Sequence, residues 1–355
     1  MSTPRTPGRL TRLSAIACVA AITSVGCSTS LAAKELRILT WEGLADDAWV
    51  EPFEQAHDVE VKRTYVGSND EYMAALAAGD TQYDTVVIVS SLAQAAIKSG
   101  FVEPVDLDRL PNFAKIYPEF RDRDFLQADG EQYGVPTFWD IQPVTINADE
   151  VSDCSFDVLF DPQYKGRIAM WDDVSTIGDV ASYMGFDNIW TLSDAQLEQV
   201  KQKMIEQKPL VRRYWSTGGE VIELFVSGEV VATNSWSYVT EALRDEGMNA
   251  TQCAPERPTA WLDSHFIVEG TEHRELAHQF INYMLSADVL AQIYEGSGFG
   301  VTNAEVTDTR PAEAFEGSVM AEDADFRESI RFWQEIPRRG KYLEVWNEVK
   351  AASAE

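Results

Sequence analysis

Hydrophobic positions along this chain change period several times, and each change predicts an element. Leu36–Thr40 (LRILT) reads as a strand. Trp49, Phe53 and Ala56 follow at helical spacing, with Pro52 marking an irregularity. Val59–Val66 (VEVKRTYV) alternates apolar and polar, the pattern of a half-exposed strand. Ser68 and Glu71 have capping-box spacing before a helix that ends at Gly79. Thr85–Val89 (TVVIV) is a continuous β-branched run, as in a strand buried on both faces of a parallel sheet. Ser90 is placed to cap the next helix, which stops near Gly100. This β-α-β-α-β order predicts a doubly wound α/β arrangement.

The second half repeats the style. Arg167–Trp171 (RIAMW) reads as a strand, with a helix after Asp172-Asp173. Ser193 and Gln196 make a capping box that opens an amphipathic helix to about Gln207. Glu229–Asn234 (EVVATN) reads as a strand ending at Ser235-Trp236. Leu276–Tyr294 carries helical periodicity with a break near Ser286. No internal repeat or low-complexity linker separates the halves, so the chain is expected to cross between two α/β lobes more than once and leave a cleft.

Composition and charge narrow the function. The chain has 355 residues, 45% of them hydrophobic and 25% charged. That length fits roughly two domains and can bury about 75% of its unfolded surface without help from disulfides or metals. The formal net charge is −29. Nucleic acid and anionic membrane surfaces are therefore disfavoured partners, while cations are not. An acid excess spread through the sequence also keeps a protein soluble at high salt.

The N-terminus reads as an export signal. Arg5, Arg9 and Arg12 precede the apolar run Ser14–Val25 (SAIACVAAITSV), which is too short to span a bilayer. Leu31-Ala32-Ala33 resembles a signal-peptidase site and would leave a mature chain from Lys34. Gly26-Cys27 resembles a lipoprotein site instead, which would tether the protein through Cys27. Removing residues 1–33 takes three arginines and no acid, so the mature chain is more negative still. It is expected to be periplasmic. Cys154 and Cys253 then remain, in a compartment that permits but does not require a disulfide.

Most chemistries are missing. Neither G-x-G-x-x-G nor a P-loop motif occurs, and Gly296-Ser-Gly-Phe-Gly300 follows a helix, so it reads as a helix stop. There is no G-x-S-x-G elbow and no H-E-x-x-H. The histidines, His57, His265, His273 and His278, read as surface residues, and no Cys/His cluster suggests zinc. An exported hydrolase using two acids, such as Asp172-Asp173, has only a chance-level signal. The protein is expected to be non-enzymatic, with no cofactor and no metal.

The aromatics carry more. There are ten tryptophans, and several stand at or just past a strand end: Trp41-Glu42 and Trp171-Asp172-Asp173 beside acids, and Trp236 after Val230–Ser235. Phe138-Trp139-Asp140 and Trp261-Leu262-Asp263 add further pairs. Residues past the C-terminal ends of doubly wound strands face the ligand crevice. An indole face with a carboxylate beside it suits an ammonium group, each desolvated cation–π contact being worth about 2 kcal/mol.

These motifs occur in a familiar order. Trp41-Glu42-Gly43, Tyr83-Asp84 through Ser90, Pro136-x-x-Trp139, Tyr164-Lys165-Gly166 and Asp172-Asp173 are followed by Glu229-x6-Trp236 and Trp261-Leu262-Asp263-Ser264. Phe280 through Val289, Gly298-Phe299 and Asn303 close the series. Over residues 35–350 the chain resembles the periplasmic spermidine/putrescine-binding proteins of bacterial ABC importers. The resemblance implies a type II periplasmic binding fold, two α/β lobes hinged over a cleft. It implies lobe 1 over 34–138 and 264–308, and lobe 2 over 139–263 and 309–355. Trp41 and Trp261 would form aromatic walls, Trp236 would face them, and Asp263 would hold one ammonium. Asp173, or alternatively Asp172, would hold another. Phe299 stands where a tyrosine is usual, Gln334 matches a polar contact, and Ser90 or Ser91 ends the buried strand. Glu42 is a further candidate. Thr176 and Val239 occupy places where the family often has acids, which favours a shorter amine over a triamine. The expected role is capture of a polyamine-like cation by a monomer that delivers it to an inner-membrane permease. The alternative is the same fold binding another small amine, an amino-acid-derived solute or iron. The lack of a Tyr-Tyr pair counts against iron.

Overall fold

The expected strand order is built around a run of fully buried β-branched residues. A computed structural model describes residues 34–353, apart from 42–43, 67–68 and 79–81. The expected leader with Cys27, the Ser68 cap, Gly79 and the candidate Glu42 lie outside the described residues.

Strands β1 (Lys34–Trp41), β2 (Val59–Val66) and β3 (Thr85–Val89) alternate with helices α1 (Asp47–His57), α2 (Asn69–Ala77) and α3 (Ser90–Lys98). β1 pairs in parallel with both β2 and β3. All five residues of β3 are buried, whereas β2 alternates as its sequence predicts. Pro52 sits inside α1 on its exposed side and does not end the helix. Ser90 is the first residue of α3 and its hydroxyl accepts no capping hydrogen bond, which corrects one expectation. The short β4 (Val102–Glu103), the one-turn α4 (Pro118–Arg121), the hairpin β5 (Gln127–Ala128) and β6 (Glu131–Gln132), and then β7 (Val135–Ile141) follow.

The chain then builds a second sheet. Its strands are β8 (Val144–Asn147), β9 (Ile168–Trp171), β10 (Val211–Trp215), β11 (Ala232–Asn234) and β12 (Ala250–Cys253), in spatial order β10-β9-β11-β8-β12. The helices are α5 (Thr176–Tyr183), α6 (Asp194–Gln207), α7 (Gly218–Val226) and α8 (Ser237–Asp245). The Ser193–Gln196 capping box is present at α6.

The return strand β13 (Thr259–Val268) inserts antiparallel between β3 and β7, giving the order β14-β7-β13-β3-β1-β2. After it come α9 (Arg274–Met284), α10 (Ala287–Ser297), β14 (Gly300–Val301), α11 (Ala324–Ser329), β15 (Arg331–Phe332) and α12 (Arg339–Ala351). Ser286 breaks the long periodic segment as expected, standing as the N-cap of α10. Gly298 ends α10 in the left-handed region at φ 71°, so the glycine-rich stretch is a helix stop.

The crossings lie a few residues from where the resemblance put them. β7 stays whole in the first sheet, because Trp139–Ile141 continue the pairing with Ala260–Leu262. β13 is likewise undivided, and β15 pairs with it. The expected limits 138/139 and 263/264 therefore fall inside strands, and 309–332 belongs with the first sheet rather than the second. The chain crosses at 142–143, at 254–258 and at 333–338. α12 then packs on the second half, where the Tyr342 hydroxyl accepts from Leu192 N and donates to Ile189 O. Cys154 and Cys253 form a disulfide that ties the turn after β8 to the end of β12.

Gly178 in α5 shows how tightly the halves are joined. A Cβ there would lie 2.5 Å from the Trp190 ring, which is held by its own hydrogen bond to Phe332 O. With that ring unable to yield, Gly178→Ala is expected to cost about 1–3 kcal/mol. A thermal melt checks this, and an unchanged midpoint would show that the ring moves.

Candidate functional site

Three elements of the first sheet end at one place. Trp41 is the last residue of β1, Ser90 directly follows β3, and Asp263 lies on β13 opposite Val89. Trp41 leans on Tyr72 with ring centroids 5.2 Å apart. Tyr72 is fully buried, and its hydroxyl donates to Leu39 O at 2.8 Å. Burial, with the Asp263 carboxylate nearby, pushes the Tyr72 phenol well above its ordinary range. Ser91, one residue into α3, is half-buried.

Asp263 is unusual electrostatically. It is 6% exposed, and burial alone pushes its carboxyl up to about 8. Its Oδ1 has no hydrogen-bond partner, and neither do Ser90 Oγ and Trp41 Nε1. Buried polar atoms are normally paired, so three unsatisfied ones on or directly after neighbouring strands of one sheet single this place out as the candidate site.

A wall of rings lies across the two halves. Trp171 ends β9, Trp215 ends β10 and Trp236 follows β11. Trp333, one residue past β15, stacks on Trp171 at 5.4 Å and 20°. Trp236 meets Trp171 edge-on at 5.0 Å and stacks near Tyr238. Tyr238 reaches Phe299, and Phe299 stands at 88° to Trp261 with centroids 4.9 Å apart. Trp261 is two residues from Asp263 on the same strand, so both side chains point to one face.

Buried carboxylates behind this wall act as anchors. Asp179 accepts from Thr259 Oγ1 and from Asn234 Nδ2, and Asn234 Oδ1 accepts from Trp171 N at 2.9 Å. Asp140 accepts from Ile141 N and from Ser237 N at the start of α8. Burial raises both carboxyls to about 7. Thr176 Oγ1 donates to Trp171 O, and Val239 lies in the core.

Three further candidates have these surroundings. Asp172 Oδ1 accepts from Trp346 Nε1 at 2.8 Å and from Lys350 Nζ at 2.7 Å, so it anchors α12. Asp173 Oδ1 accepts from Ser175 N and Ser175 Oγ, shaping the turn into α5. Gln334 is exposed beside Arg123, Asn188 and Ile189, whereas its neighbour Trp333 is buried and stacks on Trp171. Trp333 is not among the candidates the sequence offers. Trp215 was missed because two arginines hide its strand. His265 and His278 are buried, not superficial: His265 Nδ1 bonds Thr137 Oγ1, and His278 Nε2 accepts from Asp106 N. Burial lowers the His265 imidazole to about 3. Asp172→Ala is expected to lower the melting temperature by a few degrees through loss of the Lys350 and Trp346 contacts. An unchanged thermal midpoint would show that these contacts do not hold α12.

Two sheets joined by three crossings, with tryptophans at their strand ends, are the architecture of a two-lobed α/β protein. The chain belongs to the bacterial extracellular solute-binding protein family, whose profile matches residues 48–322. That family captures solutes for ABC transporters and is non-enzymatic. The putrescine/cadaverine-binding protein of Pseudomonas aeruginosa is 23% identical over 346 aligned positions, covering 92% of this chain and 96% of the relative. The spermidine/putrescine-binding periplasmic protein 1 of Haemophilus influenzae is 21% identical, covering 92% and 91%. Among solved structures, a putative spermidine/putrescine ABC transporter protein from Listeria monocytogenes superposes with a TM-score of 0.79 at 22% identity, over 90% of this chain and all of that one. The two-lobed type II binding fold is thereby established.

Proposed function

We propose that this chain is the exported solute-binding component of an ABC importer and that its ligand is a small organic amine of the polyamine class. Asp263 receives an ammonium group, with Ser90 beside it. Trp41, Trp236, Trp261 and Phe299 pack on the carbon chain. Lobe closure removes water from the pair and strengthens it. The protein works as a monomer and hands its ligand to a membrane permease. The observation that carries this reading is the buried Asp263 Oδ1 with no partner. Periplasmic polyamine-binding relatives support it.

The test is a thermal-shift titration of refolded, ligand-stripped protein with putrescine, cadaverine, spermidine, amino acids, betaines and ferric salts. Ligand at 100 times its dissociation constant adds about 2.7 kcal/mol of stability. That moves the midpoint by about two degrees or more. A shift with amines alone supports the reading. A shift only with a non-amine solute would replace the ligand class and keep the fold.

A further inference from the structure

We propose that the site reads a single ammonium group, so that a second one at the far end of the ligand contributes nothing to affinity. The proposal rests on the amine reading above and narrows it.

Two observations carry it. First, the acids of the second half near the ring wall are already engaged. Asp172 holds Lys350 and Trp346, Asp173 holds the Ser175 turn, and Asp179 holds Thr259 and Asn234. Glu241, near Gly298, is paired with Arg244. Among the described residues, the buried carboxylate beside the rings with an unpartnered oxygen is on the first sheet, at Asp263.

Second, the rings opposite are turned to one another. Trp171 is near-parallel to both Trp333 and Trp215, at 20° and 28°. Trp236 is near-parallel to Tyr238, at 17°, and meets Trp171 and Trp215 edge-on. A cation is attracted to a ring face and repelled by the positive ring edge. Faces already covered by other rings offer little to a second ammonium, which would lose its hydration without a counter-charge. An alkyl or aromatic tail loses no hydration of that kind and gains apolar contact.

The experiment compares matched pairs by calorimetric titration of the stripped full-length protein at pH 8. The pairs are butylamine against putrescine and pentylamine against cadaverine. The expected result is that each diamine binds no more than threefold more tightly than its monoamine, and that Asp173→Asn changes neither affinity. A diamine advantage above threefold would overturn the proposal. Glu42→Gln would then show whether Glu42 is the second carboxylate. Binding of neither amine would instead overturn the amine reading itself, and this proposal with it.

Discussion

Asp263→Asn is expected to weaken amine binding at least about a hundredfold, close to 2.7 kcal/mol, while the protein stays folded. Asparagine has nearly the shape of the protonated acid, and with the carboxyl pushed up to about 8 the protonated acid is the form that fills the unliganded site at neutral pH. The substitution therefore removes charge only where an ammonium would need it. The same shift fixes a pH dependence. Below pH 8 the free site carries a proton that must leave when the ammonium arrives. Affinity is expected to rise about tenfold per pH unit from pH 6 to 8 and then level off, until the amine itself begins to deprotonate near its ordinary value of about 10.4. In Asp263→Asn that slope disappears. Calorimetry in buffers of different ionisation enthalpy counts the released proton directly. Unchanged affinity in the variant, or a flat profile in the wild type, would remove Asp263 from the site.

Replacing Cys154 and Cys253 together by serine is expected to cost about 4–5 kcal/mol of stability. The bridge closes a segment with a sequence separation of 99, and the chain-entropy model assigns a stabilisation of that size to such a loop. Cys253 is the strand partner of Val144, the first residue of β8, so the bridge also stands next to the first crossing. The melting temperature is expected to fall by roughly ten degrees. Affinity is expected to hold within about threefold, because the rings that form the wall are supported through Asn234, Asp179 and Thr259 rather than through the sulfurs. A fall of less than two degrees would show that the unfolded chain is already compact without the bridge.

Much of this protein is legible along the chain because it rests on local rules. β3 is recognisable since five consecutive buried residues require two covered faces, and β1 pairs in parallel with both β3 and β2 as the β-α-β order demands. The α6 capping box and the Ser286 break are short-range patterns that long-range contacts did not disturb. The strand-end rule alone picks out Trp41, Trp171 and Trp236, because the C-terminal ends of doubly wound strands converge, while Ser90 came with the family resemblance.

Other features depended on partners far away in sequence. Asp172 and Asp173 are adjacent acids past a strand end and look equivalent. Lys350, 178 residues on, claims the first, and a local turn claims the second. Gln334 and Trp333 are one residue apart, and the placement of β15 against β13 decides which of them faces inward. His265 and His278 look like surface residues until the sheet and α9 close over them. The points where the chain crosses are set by how far β7 and β13 remain paired. Periodicity and short motifs were enough for most element types and the two-lobed class, since those follow from which neighbouring residues share a face. Only the tertiary structure decided which carboxylate stays unpaired and which ring points inward, because a buried charge is free or spent according to what the rest of the chain brings within three ångströms of it.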